Sequence, residues 1–377
     1  MSILRKLAKK SPLRMVGLMS GTSMDGLDIC VADIDFGEDA VAFSEIASAC
    51  VQFPSDLKMS IWQALSGTTE DVTRTHYNLG RFYAKSTSEF LSAEGISGID
   101  AVAVHGQTIH HISGEATLQI GEPSFLAQDL GKPIISDFRA RDISAGGTGA
   151  PLMPIVDSWL FRQEEETVLC LNLGGVANIT ALPARASGED IIGFDTGPGM
   201  ALLDEAMMLL AQQPFDDHGS VASQGTPDEA LVEEWLKDEF ILKEPPKSTG
   251  RDYFGKEWLE RNVDKITNWK LHDLLATLSL FTARSVALNC RRFSAIVQTS
   301  NVIVSGGGVH HRTAMTMLSQ QFSPVEVISS QKFNVDPDMK EALGFAILGA
   351  AYLKSIPGNL PSVTGASHPV VLGKLTL

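Results

Sequence analysis

Cysteine, positive charge and long apolar runs are all scarce in this sequence. Its four cysteines lie far apart and form no C-x-x-C pair, so neither a disulfide framework nor a zinc site is expected, and a reducing compartment fits best. The longest apolar stretch, residues 343–353, is too short to cross a bilayer, and no apolar signal segment follows the basic first residues. We therefore expect a cytoplasmic protein that spans no membrane.

Negative charge outweighs positive charge. The chain has 30 Lys and Arg residues against 45 Asp and Glu residues, which gives a formal net charge of −15. Bulk electrostatics of this sign disfavour binding to nucleic acid or to an anionic membrane. A hydrophobic fraction of 44% over 377 residues is typical of a globular protein with two or three domains.

Two strand-turn-strand units divide the sequence. Residues 15–20 and 27–34 are apolar runs of strand length on either side of a polar turn bounded by glycines, which predicts a β-hairpin. Residues 167–180 repeat this layout, and strands alternate with helical stretches elsewhere, so we expect a duplicated α/β architecture. The glycine-rich segment 146–151 marks the expected crossing between domains.

Longer segments carry less distinctive patterns. Residues 55–92 predict a helical stretch, and residues 339–353 predict a helix with small residues on one face. Segment 220–253 is charged and contains consecutive prolines, which predicts a peripheral loop or an insertion.

Polar, glycine-rich loops follow several of the predicted strands. In open α/β folds such strand ends form the ligand crevice, and a set of them is a stronger signal than one. The loops are residues 20–26, 105–108, 137–139, 172–178, 195–199 and 305–308.

The first of these loops suits either phosphate binding or an ordinary turn. Its glycines would let backbone N–H groups approach phosphate oxygens, Thr22 and Ser23 would add hydroxyl donors, and Asp25 would hold Mg²⁺ directly or through water. A hairpin turn with Asx-type hydrogen bonding explains the same residues equally well. The loop matches neither the P-loop nor the dinucleotide-binding glycine pattern.

Asp195 lies at the end of a predicted strand and precedes a Gly-Pro-Gly turn. A carboxylate in that position is well placed to act as a general base, and a turn-capping aspartate is the alternative. Residues 306–308 are three glycines that end another predicted strand. Their bare backbone would accommodate an adenine or a ribose, or would form a tight turn.

His105, Arg139 and Glu341 are candidate substrate contacts. His105 ends a predicted strand, Arg139 would bind a carboxylate through two hydrogen bonds, and Glu341 begins a helix. The pairs at 110–111 and 310–311 are adjacent histidines and suggest a metal site. Neighbours on a strand point to opposite faces, however, and no carboxylate spacing accompanies them, which favours structural roles.

An ordered set of motifs spans nearly the whole chain. The most specific is GLMSGTSMDGLD at residues 17–28. The others are HGQT at 105–108, SDFR at 136–139, GGTGAP at 146–151, NLGGVANIT at 172–180, GFDTGPG at 193–199, PKSTGR at 246–251, SGGG at 305–308, KEA at 340–342 and NLPSVTGA at 359–366. Together these motifs closely resemble the anhydro-N-acetylmuramic acid kinase family.

The resemblance implies a two-domain α/β fold of the actin-like, sugar-kinase ATPase type, with a central cleft between the domains. The expected N-terminal domain is residues 1–140 with 355–377, and the expected C-terminal domain is residues 141–354. The implied reaction uses ATP, Mg²⁺ and water on 1,6-anhydro-N-acetylmuramic acid and gives N-acetylmuramic acid 6-phosphate and ADP. This is a step in the recycling of bacterial cell-wall sugar, and the family is expected to be homodimeric.

The family's motifs also imply residue roles. Asp195 is the expected catalytic base. The expected sugar-binding residues are His105, Gln107, Thr108, Arg139 and Glu341. The expected ATP-binding residues are Gly21, Thr22, Ser23, Met24, Asp25, Gly26, Leu27, Asp28, Asn172, Gly174, Gly175, Gly306, Gly307 and Gly308, with Asp25 also holding Mg²⁺ through water.

One carboxylate is enough for this chemistry. Asp195 would take a proton from water as the water attacks the anomeric carbon, as in inverting glycosidases, and the phosphoryl group would capture the released oxygen in place of an acid. Three other functions stay open on the sequence. They are an ATP-driven conformational protein of the same superfamily, a plain sugar kinase acting on a free hydroxyl, and a sugar sensor without turnover.

Overall fold

The protein divides into two units, each with its own β-sheet. The computed structural model describes residues 3–21, 24–37, 40–263, 266–292 and 299–377. Unit 1 comprises Met1–Leu160 and Met339–Leu377, and unit 2 comprises Phe161–Asp338. These limits differ from the predicted domains because residues 141–160 and 339–354 group with unit 1.

Strands and helices alternate along most of the chain. The strands are β1 (Leu13–Ser20), β2 (Gly26–Phe36), β3 (Val41–Gln52), β4 (Ala101–Ile112), β5 (Ala116–Ile120), β6 (Ile134–Ser136), β7 (Thr167–Leu173), β8 (Val176–Leu182), β9 (Ile192–Pro198), β10 (Thr299–Ser305), β11 (Glu326–Ser329) and β12 (Lys374–Thr376). The helices are α1 (Ile3–Leu7), α2 (Ser55–Ala64), α3 (Thr69–Ala93), α4 (Pro123–Leu130), α5 (Arg139–Ser144), α6 (Met153–Phe161), α7 (Ala201–Ala211), α8 (Glu229–Trp235), α9 (Glu239–Leu242), α10 (Lys256–Asn262), α11 (Leu271–Arg292), α12 (Arg312–Phe322), α13 (Lys340–Lys354) and α14 (Pro361–Thr364).

The sheet of unit 1 has the order β12-β6-β4-β1-β2-β3, and β5 pairs with β4. Consecutive residues of β1 are buried. Since successive side chains of a strand point to opposite faces, both faces of β1 are covered. Val16 and Leu18 pack into a core with residues of α2 and α3. Gly17, between them, faces α13, and a Cβ there would collide with the carbonyl oxygen of Ala342. The glycine therefore lets the helix backbone rest directly on the strand.

The sheet of unit 2 has the order β11-β10-β7-β8-β9. Helix α11 packs against α7, α12 and β9. One core lies between the sheet and α11, and it contains Leu171, Phe194 and Val286. A second core joins α7, α8, α10 and α11 around Trp235, Trp258 and Phe281. Helix α11 is therefore buried along most of its length, because both cores use it.

The two sheets share one strand topology. In unit 1, β1, β2 and β3 form an antiparallel meander, and β4 and then β6 add in parallel beside β1. In unit 2, β7, β8 and β9 form the same meander, and β10 and then β11 add in parallel beside β7. The predicted hairpin of residues 15–34 and the predicted duplicated α/β architecture are confirmed. The expected α/β class is confirmed in this two-sheet organisation.

One sequence expectation for local structure is confirmed with a break in it, and another, the peripheral loop, is wrong. The helical stretch of residues 55–92 is two helices, because a capping box at Thr68 starts α3: the Thr68 hydroxyl accepts the Asp71 N–H and the Asp71 carboxylate accepts the Thr68 N–H. Segment 220–253 is no peripheral loop, since it forms α8 and α9 and buries Trp235 and Ile241 in unit 2.

Candidate active site

Two glycine turns of unit 2 lie side by side because the strands before them are parallel neighbours. Asn172 on β7 pairs with Ser305 on β10, so the turns at 174–175 and 306–308 follow at the same edge of the sheet. Gly306 has a φ of +85°, and a Cβ there would lie 2.7 Å from Asn172 Oδ1. Both the backbone conformation and the close approach require glycine.

Two positions in these turns leave open space beside bare backbone. A Cβ on Gly307 would meet no heavy atom within 4 Å, and one on Gly174 would meet nothing nearer than 3.7 Å. Bare backbone of this kind allows a flat ring or a phosphate to approach N–H groups closely. The unit 2 residues predicted for the nucleotide are therefore brought together in an arrangement that fits one.

The first predicted phosphate loop, in unit 1, lies partly outside the described residues, since Thr22 and Ser23 belong to neither described range. The Asp25 side chain is exposed. Within the described ranges no cluster of three His, Cys, Asp or Glu side chains is arranged to hold a metal ion. An exposed carboxylate such as that of Asp25 can hold Mg²⁺ through water or beside a phosphate.

The side chains that flank Asp25 serve the fold. Met24 has a φ of +54° and packs with Leu27 in the unit 1 core. A Cβ on Gly26 would lie 2.7 Å from the carbonyl oxygen of Val51, so β3 needs a glycine there. Asp28 sits opposite Cys50 in the β2–β3 ladder. The side chains of residues 24 and 27 are buried in this core and are therefore not available to a ligand.

Asp195 lies in the middle of β9, not at a strand end as predicted, because the strand continues through the Gly-Pro pair to Pro198. It is held by a segment distant in sequence. Its Oδ2 accepts hydrogen bonds from the Thr249 N–H at 2.8 Å and from the Ser248 hydroxyl at 2.9 Å. Its own N–H donates to the Lys247 carbonyl at 3.2 Å. Among the described residues no hydrogen bond to Oδ1 is found, so that oxygen is available to a water molecule. Burial raises the pKa of Asp195, and the Thr249 N–H, the Ser248 hydroxyl and the Lys247 charge oppose that rise.

Lys247 anchors this holding segment inside unit 2. Its side chain is 5% exposed, and Nζ donates to the carbonyls of Phe240 and Ile241, both at 3.0 Å, and to Asn289 Oδ1 at 2.6 Å. Burial lowers the pKa of Lys247 to about 8. Lys247 belongs to the PKSTGR motif, but the sequence did not indicate a role for it, because nothing local links residue 247 to residue 195.

In unit 1, the buried His105 and the partly buried Arg139 form a hydrogen-bonded pair. The predicted strand end at His105 is wrong, because β4 continues to Ile112. Arg139 Nε donates to His105 Nε2 at 3.0 Å, and Nη1 donates to the Gly149 carbonyl at 3.0 Å. Burial, and then the Arg139 charge, hold the pKa of His105 well below its usual range. His105 is therefore neutral with Nε2 as an acceptor. The predicted two-bond carboxylate contact cannot use Arg139 Nε, since that group already donates to the histidine.

Glu341 lies at the start of α13, close to charged groups of unit 1. Burial raises its pKa, and the charges of Lys340 and Arg139 oppose the rise. Lys340 Nζ in turn lies 2.9 Å from Asp157 Oδ1, and both of these side chains are 4% exposed. The electrostatic influence of Glu341 also opposes the effect of burial on Arg139, whose pKa burial lowers to about 10. Glu341, Arg139 and His105 are thus brought into one neighbourhood.

Gln107 and Thr108 are tied to the protein. Gln107 is fully buried, its Oε1 accepts the Ser20 hydroxyl at 2.6 Å, and its Nε2 donates to the Gly21 carbonyl at 3.2 Å. Thr108 Oγ1 accepts from Gln119 Nε2 at 3.2 Å. Gln107 therefore positions the start of the first glycine loop, a role that sequence reasoning did not assign to it.

A buried carboxylate, that of Asp142, holds the residue that binds Arg139. Asp142 is fully buried and accepts hydrogen bonds from Gly149 N–H at 2.8 Å, Asn359 Nδ2 at 2.7 Å and Thr364 Oγ1 at 2.8 Å. Gly149 is the residue whose carbonyl accepts from Arg139. The NLPSVTGA motif thus fixes the glycine-rich segment 146–151 through Asp142, which the sequence alone did not indicate.

No helix among the described residues is long and apolar enough to cross a membrane.

Comparison with solved structures gives distant matches. The activator of the 2-hydroxyisocaproyl-CoA dehydratase from Clostridium difficile, solved with ADPNP, matches 91% of this chain and 96% of its own with a TM-score of 0.45 and 15% identity. A ROK family glucokinase from Streptomyces griseus, solved with glucose and AMPPNP, matches 89% of this chain and 98% of its own with a TM-score of 0.39 and 12% identity.

Comparison of sequences gives much closer matches. The curated anhydro-N-acetylmuramic acid kinase of Caldanaerobacter subterraneus subsp. tengcongensis is 35% identical, with all of both chains covered. That of Salinibacter ruber is 38% identical over 100% of this chain and 99% of its own. The family model described as anhydro-N-acetylmuramic acid kinase matches residues 13–377. This chain belongs to the anhydro-N-acetylmuramic acid kinase family.

Proposed function

We propose that the protein converts 1,6-anhydro-N-acetylmuramic acid, ATP and water into N-acetylmuramic acid 6-phosphate and ADP. Family membership and the names of the curated relatives support the substrate and the reaction class. The environment of Asp195 carries the mechanism, because one carboxylate oxygen is held by the chain and the other is available to water.

Asp195 is the general base in this proposal. Oδ2 is fixed by Ser248 and Thr249, which orients Oδ1 without neutralising it. Burial raises the pKa of Asp195, which makes the carboxylate a stronger base than an exposed aspartate. The base takes a proton from water as the water oxygen bonds to the anomeric carbon, and the bond from that carbon to O6 breaks.

ATP, when bound, supplies the phosphoryl group that is transferred to O6, and Mg²⁺ neutralises charge on its phosphates. Gly174 and Gly307 offer open backbone to the nucleotide, and Asn172, Gly175, Gly306 and Gly308 shape the turns around them. Asp25, together with the loop from Gly21 to Asp28, is the proposed Mg²⁺ and phosphate site of unit 1. Such a phosphate site suits an acidic protein, since backbone N–H donors and a metal ion stabilise the phosphate charge without a basic surface.

The residues proposed to bind the sugar in unit 1 are His105, Arg139, Glu341 and Thr108. His105 is fixed as a neutral ring, so it contributes shape and hydrogen bonding and no proton at neutral pH. Arg139 keeps Nη2 for the substrate, since Nε and Nη1 already donate to the protein. Gln107 supports the site by fixing residues 20 and 21.

We also propose that the protein acts in the cytoplasm as a homodimer, as the family resemblance implies. Sedimentation velocity of the purified chain tests the dimer. A monomer at micromolar concentration would contradict it.

Mass spectrometry of the product tests the function. Purified protein is incubated with ATP, Mg²⁺ and the anhydro sugar. We expect a species heavier than the sugar by one water and one phosphoryl group. Release of free phosphate with unchanged sugar would instead identify an ATP-driven conformational protein and overturn the proposal.

A further inference from the structure

The guanidinium of Arg251 lies directly on the backbone of the glycine turn at 174–175. A Cβ on Gly175 would lie 2.9 Å from Arg251 Nε, 3.3 Å from Nη2 and 3.4 Å from Cζ. Gly175 does not have a positive φ, so the backbone conformation does not demand glycine there. A Cβ there would instead push the Arg251 guanidinium, the flexible end of its side chain, away from the turn.

Asp204, on α7, holds the guanidinium in this position. Its Oδ2 accepts from Arg251 Nη2 at 3.0 Å. Burial raises the pKa of Asp204 to about 6, and the Arg251 charge opposes that rise. The Arg251 side chain is 42% exposed although two sides of it are contacted, so part of the guanidinium still faces solvent.

The segment of residues 247–251 contacts both Asp195 and the glycine turn at 174–175 in unit 2. Lys247, Ser248 and Thr249 hold the backbone and carboxylate of Asp195, and Arg251 follows two residues later over Gly175. Gly174, next to it, leaves open space beside its backbone. A fixed cation beside open N–H groups is the combination that binds phosphate oxygens. In a chain of net charge −15, such a cation is a specific attraction for an anion.

We propose that Arg251 binds the terminal phosphates of the nucleotide at the turn formed by Gly174 and Gly175, and that Asp204 positions it for that contact. This inference rests on the proposed function, since it names the part of the nucleotide that the turn recognises. Arg251 is a binding residue and Asp204 is a positioning residue.

Calorimetric titration with ATP, ADP and AMP tests the contact in the presence of Mg²⁺. The wild-type protein is expected to bind ATP more tightly than AMP. Arg251→Gln should weaken ATP binding by about tenfold or more, the scale of a charge-assisted hydrogen bond, and leave AMP binding unchanged. Asp204→Asn and Gly175→Ala should reduce the preference for ATP less, because each displaces the guanidinium without removing it.

Arg284→Gln is the matched control, since Arg284 is another arginine of unit 2 paired with carboxylates, those of Glu229 and Glu233. It should leave all three affinities unchanged. Equal losses for ATP and AMP in Arg251→Gln, or no loss for ATP, would overturn the proposal in favour of a purely structural ion pair. Arg251→Lys keeps the charge and should retain part of the preference, so a folding defect in one variant leaves the test intact.

This result is independent of the product measurement. If no phosphorylated sugar forms but ATP preference depends on Arg251, the proposed reaction fails and the phosphate contact stands. If the wild-type protein does not prefer ATP to AMP, the phosphate contact fails whatever the product is.

Discussion

The carboxylate of Asp195 is held by the backbone N–H of Thr249, 2.8 Å from Oδ2, although 54 positions of sequence separate them. The link exists because Lys247 is anchored in the core of unit 2 and presents the next two residues to β9. Orientation of the proposed base therefore depends on a segment that is neither a strand of the sheet nor adjacent to the base in sequence.

Replacing Asp195 with Asn removes the base and keeps the shape of the side chain. We expect turnover to fall by about 10²–10⁴-fold, the usual contribution of a general base, with ATP and sugar binding unchanged. Steady-state kinetics and calorimetry on the same preparation measure both. Turnover close to that of the wild-type protein would exclude Asp195 as the base.

Ser248→Ala is expected to change the pH profile. The Ser248 hydroxyl lowers the pKa of Asp195 against the larger effect of burial, so its removal raises that pKa further. A base works only when deprotonated, and the acid limb of kcat/KM should therefore move to higher pH. Ser223→Ala is the control, because the Ser223 hydroxyl donates only to the Ser220 carbonyl on the surface of unit 2. Acid limbs that coincide in wild-type and Ser248→Ala protein would contradict the assignment.

Asp142→Asn should weaken both the fold and sugar binding. The fully buried carboxylate accepts three hydrogen bonds, and an amide cannot accept all of them, so we expect the free energy of unfolding to fall by about 1–3 kcal/mol. Because Gly149 also holds Arg139, KM for the sugar should rise more than kcat falls. Denaturant unfolding and kinetics measure these effects, with the exposed Asp129→Asn as control. Loss of stability with an unchanged KM would reject the link to Arg139.

Gly307→Ala and Gly306→Ala distinguish the effect of filling the proposed nucleotide space from the effect of backbone strain on stability. Nothing lies near a Cβ on Gly307, so the free energy of unfolding should change by less than about 0.5 kcal/mol, while ATP affinity should fall because the methyl group occupies the open space. At Gly306 the φ of +85° and the nearby Asn172 oxygen should cost about 1–3 kcal/mol of stability. Unchanged ATP affinity in Gly307→Ala would mean that the nucleotide does not use this turn.

Much of the fold is readable from the sequence because it depends on local patterns. The apolar runs around the first glycine turn predicted the β1–β2 hairpin, and the repeat of that layout predicted the second hairpin, β7–β8, and a duplicated α/β architecture. Segment 220–253 misled the sequence reading because its short helices bury only one face each. Trp235 and Ile241 lie among charged residues in sequence, so the segment looked peripheral.

The site was readable only in part. Strand ends and glycines predicted the turns at 174–175 and 306–308, because these features are local. Asp195 was singled out by the same reasoning, although it lies inside β9 and not at its end. The supports of those residues were not readable, because Lys247 and Asp142 act across long sequence separations through buried hydrogen bonds. Gln107 shows the same limit, since its position suggested a ligand contact while its burial makes it a support for Gly21.

Labelled water tests the role of Asp195 most directly. The reaction is run in water enriched in heavy oxygen with the anhydro sugar, ATP and Mg²⁺, and the phosphorylated product is fragmented in the mass spectrometer. We predict one heavy oxygen on the anomeric carbon and none in the phosphate ester. A phosphorylated sugar without heavy oxygen at that carbon would mean that no water is activated, and it would contradict the assignment of Asp195.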